Sequence, residues 1–277
     1  MRNKIFNTAS VYFLLFIFAL IFVLPLLFMI AGSLKPDDMV LSDMGSAAYF
    51  NPENFSFKNY RDVFERIEFT RFMLNSVFIT GAIVISSLIV NSLAGYSFAR
   101  LKWKGRSFFL IFVIALMILP LESIAVPLFY QMVSIGWRNT YRVQIVPFAA
   151  NAFSIYLFYT FFLALPKELE ESAKIDGAGA FRTFLSIIVP VSKPVYGTVT
   201  ILMFLMYWGS YLWPLMVTSG PDYRPLPLAI ASFKTLPPIQ WGDIMAFGVM
   251  MVLPVLIVFI IFQRFFVRGV AASGVKS

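Results

Sequence analysis

The chain has 277 residues, 60% of them hydrophobic and only 13% charged, with mean hydropathy +0.81 and net charge +8. A soluble domain of this length needs far more charged surface, so the composition predicts an all-α polytopic membrane protein. Cys and His are absent, which excludes disulfides, thiol nucleophiles and thiolate or imidazole metal sites.

A spanning helix needs ~20 mostly apolar residues. Six runs are long enough, at roughly 11–31, 73–98, 107–131, 143–165, 196–217 and 245–263. The first has an apolar block of 21 residues and no clear A-x-A site, so it is expected to be a retained helix rather than a signal peptide. A long loop, 32–72, follows it. Within that loop Lys58, Arg61, Asp62 and Glu65 lie at helical spacing, which predicts a short solvated surface helix over 58–68. Asn91 and Asn151 are expected to form hydrogen bonds between helices. The third run carries Pro120 and Pro127 and is expected to bend or end early. Glu122, beside Pro120, is read as a structural or wetted carboxylate near the outer surface.

Lys and Arg set orientation in the membrane. The N-terminus, the link at 100–106, the segment 167–194 and the tail hold 13 of the 22 basic residues, and these regions alternate correctly for one side. Both termini are therefore expected in the cytoplasm. The loops 32–72 and 218–244 face outward. There is no defensible internal repeat, so the chain reads as one transmembrane domain over 1–277, with an external loop at 32–72, a cytoplasmic loop at 166–195 and a cytoplasmic tail at 264–277.

The cytoplasmic loop is charged in an otherwise apolar chain. Pro166 suits the start of a helix over 167–176, where Glu170 and Lys174 form an i,i+4 pair in the favoured order. Leu169, Ser172, Ala173 and Asp176 fall on one face. Asp176-Gly177 is a turn signal, with Gly free to take positive φ. A second helix over about 180–189 carries Phe181, Phe184, Leu185 and Ile188 at helical spacing, and Pro190 and Pro194 end it. One alternative is an amphipathic helix on the lipid surface. Such helices usually show a Lys/Arg-rich polar face, whereas this one is acid-rich. Docking to a cytoplasmic protein fits the charge better.

This loop resembles the EAA motif of bacterial ABC-importer permeases, EAA-x3-G-x9-I-x-L-P. Here it reads Glu171-Ser172-Ala173, then Gly177, then Ile187-x-Val189-Pro190. All spacings match; Ser172 replaces Ala and Val189 replaces Leu. "ELEESAKIDGA" is similar to the carbohydrate-uptake branch, which includes the maltose permease subunits. "SLKP", "FMLNS", "YSFARLKWKGR", "WGSYLWPL" and the ending "QRFFVRGVAASGVKS" resemble the second, MalG-like permease. Gly209 departs from the pattern, since many relatives carry Asn there.

The resemblance implies an ABC type I importer permease fold in the bacterial cytoplasmic (inner) membrane. The loop would be a coupling helix seated in a separate ATPase. Glu171, Ser172, Ala173, Asp176, Gly177, Ile187 and Pro190 are the implied coupling residues, and Gly269 to Ser277 a weaker second contact. The implied partners are a MalF-like permease, two ABC ATPase subunits, an extracytoplasmic solute-binding protein, a sugar-like substrate and membrane lipid, with no nucleic acid. The chain holds no G-x-x-x-x-G-K-[ST] loop, so no cofactor is expected in it. ATP and Mg would be bound by the ATPase partner, and the chain itself would be no enzyme.

Phe204, Tyr207, Trp208 and Tyr211 recur at helical spacing. Tyr207, Trp208 and Tyr211 are candidates for the substrate path, because aromatic faces stack on sugar rings; packing against a partner helix is the plain alternative. Trp213-Pro214 is expected at the outer interface. A competing function is a self-contained ion- or proton-coupled carrier, but that usually needs intramembrane carboxylates or histidines, and Glu122 is the one candidate. A membrane-embedded enzyme is disfavoured by the lack of His, Cys and paired acids.

Overall fold

The computed structural model describes residues 2–235 and 237–274. Among the described residues every regular element is helical. The main elements are α1 (Arg2–Leu34), α2 (Lys58–Arg66), α3 (Phe69–Arg100), α4 (Arg106–Leu116), α5 (Leu121–Ser134) and α6 (Ala152–Ala164). They continue with α7 (Glu168–Ile175), α8 (Ala180–Val191), α9 (Lys193–Trp208), α10 (Leu212–Val217), α11 (Leu226–Thr235) and α12 (Trp241–Gly274). Four segments are long and apolar enough to cross a membrane, and two bent pairs raise the number to six.

The pair α4 and α5 bends by 105°. Pro120 is the N-cap of α5, and proline pushes its preceding residue out of helical geometry, so the break falls there. Pro127 lies inside α5 without breaking it. The fifth apolar run is not one helix as expected. It splits at Gly209, the C-cap of α9, and residues 212–217 form the separate α10. Glycine's high conformational freedom disfavours helix continuation at that point.

The chain forms two compact units, Met1–Thr70 with Ala229–Pro254, and Arg71–Leu228 with Val255–Ser277. In the first unit, buried Asn59 donates to the carbonyls of Ser33 and Lys35 at 2.9 and 2.7 Å. These flank the end of α1, where helix carbonyls lack internal partners. A Cβ at Gly242 would fall 2.5 Å from Asn59 Nδ2, so the glycine admits this close approach. The Gly242 N–H donates to Asp37 Oδ1 at 3.0 Å. Lys35, fully buried, pairs with Asp43 and lies 5.9 Å from the centre of the Tyr49 ring. Burial raises the pKa of the Tyr49 phenol, which stays protonated and donates to the Phe28 carbonyl at 3.2 Å.

The helix in the loop forms as expected, but it is not merely solvated. Asn59 and Val63 are buried, and Arg66 donates to Asp243 at 2.7 Å, Gln240 at 3.2 Å and the Pro238 carbonyl at 2.8 Å. Asp243 is 1% exposed. The sequence spacing shows the charged face of α2, not its long-range partners.

In the second unit, aromatic and branched side chains from α3, α6, α8 and α9 build the core, among them Phe158, Phe162, Phe184, Ile188 and Val199. Asn75 donates to the carbonyls of Asp222 and Arg224 at 2.9 and 3.0 Å and accepts from the Tyr141 hydroxyl at 2.7 Å. Asn91 accepts from the Asn151 backbone N–H at 3.0 Å, while the Asn151 side chain caps α6 through the Ser154 N–H. Asn91 thus links α3 to the start of α6, as expected of it. At Gly95 a Cβ would lie 2.6 Å from Phe158 Cβ and 3.0 Å from Tyr159 N, so α3 and α6 approach closely there. Trp213 is buried, with Nε1 donating to the Val143 carbonyl at 2.9 Å. It belongs to the core, not to the expected outer interface, because its N–H finds a protein acceptor.

Gly95→Leu should overpack this crossing and cost about 1–3 kcal/mol. A lower melting midpoint of the purified chain checks it; an unchanged midpoint means the two helices do not touch there. Arg66→Met should cost about 3–5 kcal/mol by leaving Asp243 buried without its cation. The double change R66M/D243N should recover most of that loss in the same measurement.

Candidate coupling site

The site starts where α6 ends, at Leu165 and Pro166. Glu168, Glu170 and Glu171 occupy the first turn of α7 and Lys174 the last, so its charges oppose the helix dipole at both ends. Asp176 is the C-cap and Gly177 follows at φ +76. The Ala178 N–H bonds the Ala173 carbonyl at 2.9 Å and the Gly177 N–H bonds the Lys174 carbonyl at 3.0 Å. These are the two bonds of a Schellman stop, in which an L side chain at the left-handed residue is strained. Nothing lies within 4 Å of a Cβ placed at Gly177, so backbone conformation alone selects glycine.

The expected common face of α7 is only partly inward. Ala173 is 3% exposed and Leu169 half-buried, but Ser172 and Asp176 are exposed, as is Glu171. Glu170 does not pair with Lys174; its ion partner is Arg100, 3.7 Å away. Local i,i+4 attraction loses to a partner 70 positions earlier, because Arg100 is buried and must be neutralised.

After Gly179 the chain enters α8, whose residues Phe184–Ile188 form a π turn. Pro190 has no N–H to offer the preceding turn, and a widened turn is a usual accommodation of such a defect. Phe184 and Ile188 are buried, whereas Phe181 and Leu185 are exposed; Ile187 is half-buried and Pro190 exposed. The helix runs to Val191 and turns through 79° into α9, between Pro190 and Pro194 as their positions suggest.

Sequence reasoning missed Ile175. It is 87% exposed, the largest value among the exposed large apolar side chains. The signal was available: Ile175 is two residues from Ala173, hence on the opposite side of α7. The free surface thus presents Glu171, Ser172, Ile175 and Asp176 together, with Phe181 exposed on the next helix. Of the tail, residues 275–277 lie outside the described residues.

The candidate substrate residues sit differently from one another. Trp208 is 4% exposed and stacks on Phe204, with ring centres 5.2 Å apart. Tyr207 is half-buried against Phe148 and lines a cavity of about 10 Å³ with Thr80, Gln144 and Ser210. That space suits one water, not a sugar. Tyr211 is exposed in the break before α10. Glu122 is exposed in the first turn of α5. Among the described residues no group of three carboxylates could hold a metal.

The sequence and the fold both have relatives among known proteins. Residues 91–272, which include α7 and α8, match the family described as binding-protein-dependent transport system inner membrane component. The chain is 34% identical over 259 residues to the arabinooligosaccharides transport system permease protein AraQ of Halalkalibacterium halodurans, covering 93% of this chain and 92% of that one. It is 32% identical over 213 residues to the trehalose/maltose transport system permease protein MalG of Thermococcus litoralis, covering 76% and 77%. The fold matches a chain in the crystal structure of a bacterial ABC transporter involved in the import of the acidic polysaccharide alginate, with TM-score 0.81, 24% identity, and coverage of 96% and 98%. The motif spacing, the helical architecture and the matched length agree: the chain belongs to the family of inner-membrane permease components of binding-protein-dependent ABC transport systems.

Proposed function

We propose that this chain forms half of the translocation pathway of an ATP-driven importer for a sugar or oligosaccharide, and that α7 couples it to a separate ATPase. The observation that carries the coupling is the surface of α7. A helix stopped by a glycine-dependent turn presents Glu171 and an 87% exposed Ile175, which no element of this chain covers among the described residues. The chain lacks a phosphate-binding G-x-x-x-x-G-K-[ST] loop, so hydrolysis belongs to a partner, which holds ATP and Mg. Glu171 would pair with a basic group of that ATPase, and Ile175 would fill a pocket in it. The sugar class follows from relatives whose names specify arabinooligosaccharides and trehalose/maltose.

The remaining partners follow from the same reading. A second, MalF-like permease supplies the other half of the pathway, and an extracytoplasmic solute-binding protein delivers the substrate. Both termini and α7 face the cytoplasm, as the basic residues suggest. Tyr207, Trp208 and Tyr211 remain candidates for the substrate path. Tyr211 is the one already exposed, so direct contact is proposed there first. A self-contained carrier would need an enclosed titratable group, and Glu122 is exposed at a helix start.

The chain purified by a tag from its native membrane should bring down an ATPase and a second permease. Glu171→Lys with Gly177→Pro should cut ATPase recovery about tenfold, equivalent to ~1.4 kcal/mol of interface energy. Wild-type chain that comes out alone would overturn the assignment. Ile175→Asp should leave the melting midpoint of the chain within the change that ~0.5 kcal/mol produces, since the side chain is solvent-exposed. The same variant should weaken ATPase recovery; equal recovery would remove Ile175 from the interface.

A further inference from the structure

Below α7 lies a buried charge that the coupling surface does not use. Arg100, the last residue of α3, has a side chain only 5% exposed. Its Nη2 donates to the Leu165 carbonyl, at the C-cap of α6. Helix-terminal carbonyls need such donors, and a cation suits that end of the dipole. Its Nε faces Glu170 Oε1 at 3.7 Å, on a carboxylate 12% exposed. Neither of these two atoms has a hydrogen-bond partner of its own. The Tyr96 hydroxyl, one turn back on α3, faces the same carboxylate, and its ring packs on Phe162 and Phe184 with centres 6.2 and 5.0 Å away. Three elements therefore meet at Arg100, the end of α3, the end of α6 and the first turn of α7, while the π turn of α8 packs on Tyr96 one turn back.

The geometry points to a strut. Arg100 and Glu170 are positioning residues that tie α7 to the end of α3, so the two move as one body when an ATPase displaces α7. This rests on the reading of α7 as the coupling helix. Without the pair, what remains is the packing of buried Ala173 and half-buried Leu169 and the chain on either side of α7, at Pro166 and at the glycines 177 and 179. Glycines bend easily, so displacement of α7 would be absorbed in the loop. With the pair, displacement also reaches α3, a span 65 positions earlier in sequence than Leu165. Burial makes the tie hard to release, because separating the charges leaves each one desolvated and alone. The packing at Gly95 continues the rigid body along α3 and α6.

The natural chain has no Cys, so two labels can be introduced without background. Lys102→Cys, just beyond α3, and Glu168→Cys, in α7, are both exposed positions. Spin labels there, in the complete transporter purified with its ATPase, report the α3–α7 distance by electron paramagnetic resonance. It is measured without nucleotide and after trapping with Mg-ATP and vanadate. The wild-type distance should be the same in both states. With Glu170→Gln added, ATPase should still co-purify, but trapping should shift the distance beyond the ~1–2 Å of ordinary helix sliding. Arg100→Lys, which keeps the charge and loses the second donor, should give a smaller shift and serves if Glu170→Gln does not fold. An unchanged distance in both variants, or a wild-type distance that itself changes, overturns the strut while the coupling helix stands. Loss of the ATPase from Glu170→Gln also overturns it, placing Glu170 in the docking surface. If no ATPase accompanies the wild type, the coupling reading and the strut fall together.

Discussion

Backbone polar groups inside a membrane have no water to bond, and this constraint shapes the whole chain. Helices satisfy it internally except at their ends and breaks. Three buried asparagines serve such ends and the loops beside them. Asn59 closes the end of α1, Asn75 gathers the loop carbonyls at 222 and 224, and Asn91 meets the first N–H of the Asn151 cap. Each side chain supplies donors or acceptors that a kinked, many-segment helical chain would otherwise lack. Arg100 and Trp213 do the same with the Leu165 and Val143 carbonyls.

Against that background α7 is an exception built by the rules of soluble proteins. Its stop is a glycine turn, its charges counter the helix dipole at each end, and its exposed face mixes Ile175 with Glu171 and Asp176. Its inner side is different, since Ala173 is buried and Glu170 is held by a desolvated cation. The helix thus has one surface suited to a water-soluble partner and another anchored to its own spans.

Elements that depend on near neighbours along the chain are legible in the residues alone. Apolar length locates the spans, Asp176-Gly177 marks the Schellman stop, and Pro120 marks the sharp break in the third run. Pairings across long separations are not legible in this way. By local spacing Glu170 belongs with Lys174, α2 is solvated and Trp213 is interfacial. In each case a distant group decides the outcome: Arg100, Asp243 and the Val143 carbonyl. Local spacing ranks nearby partners, whereas burial selects whichever partner removes an unsatisfied polar group. The π turn is hidden for another reason, because a proline announces a defect but not how the backbone absorbs it.

The 79° angle between α8 and α9 has a mechanical consequence. The two axes are nearly perpendicular, so they act as the arms of a bell crank with its pivot at Ser192. A thrust along α8 has little component along α9 and cannot drive that span up or down like a piston. It is delivered sideways, as a turning moment on the base of α9. On the coupling reading proposed above, motion entering from the loop would become lateral tilt, changing the width between neighbouring helices more than their depth.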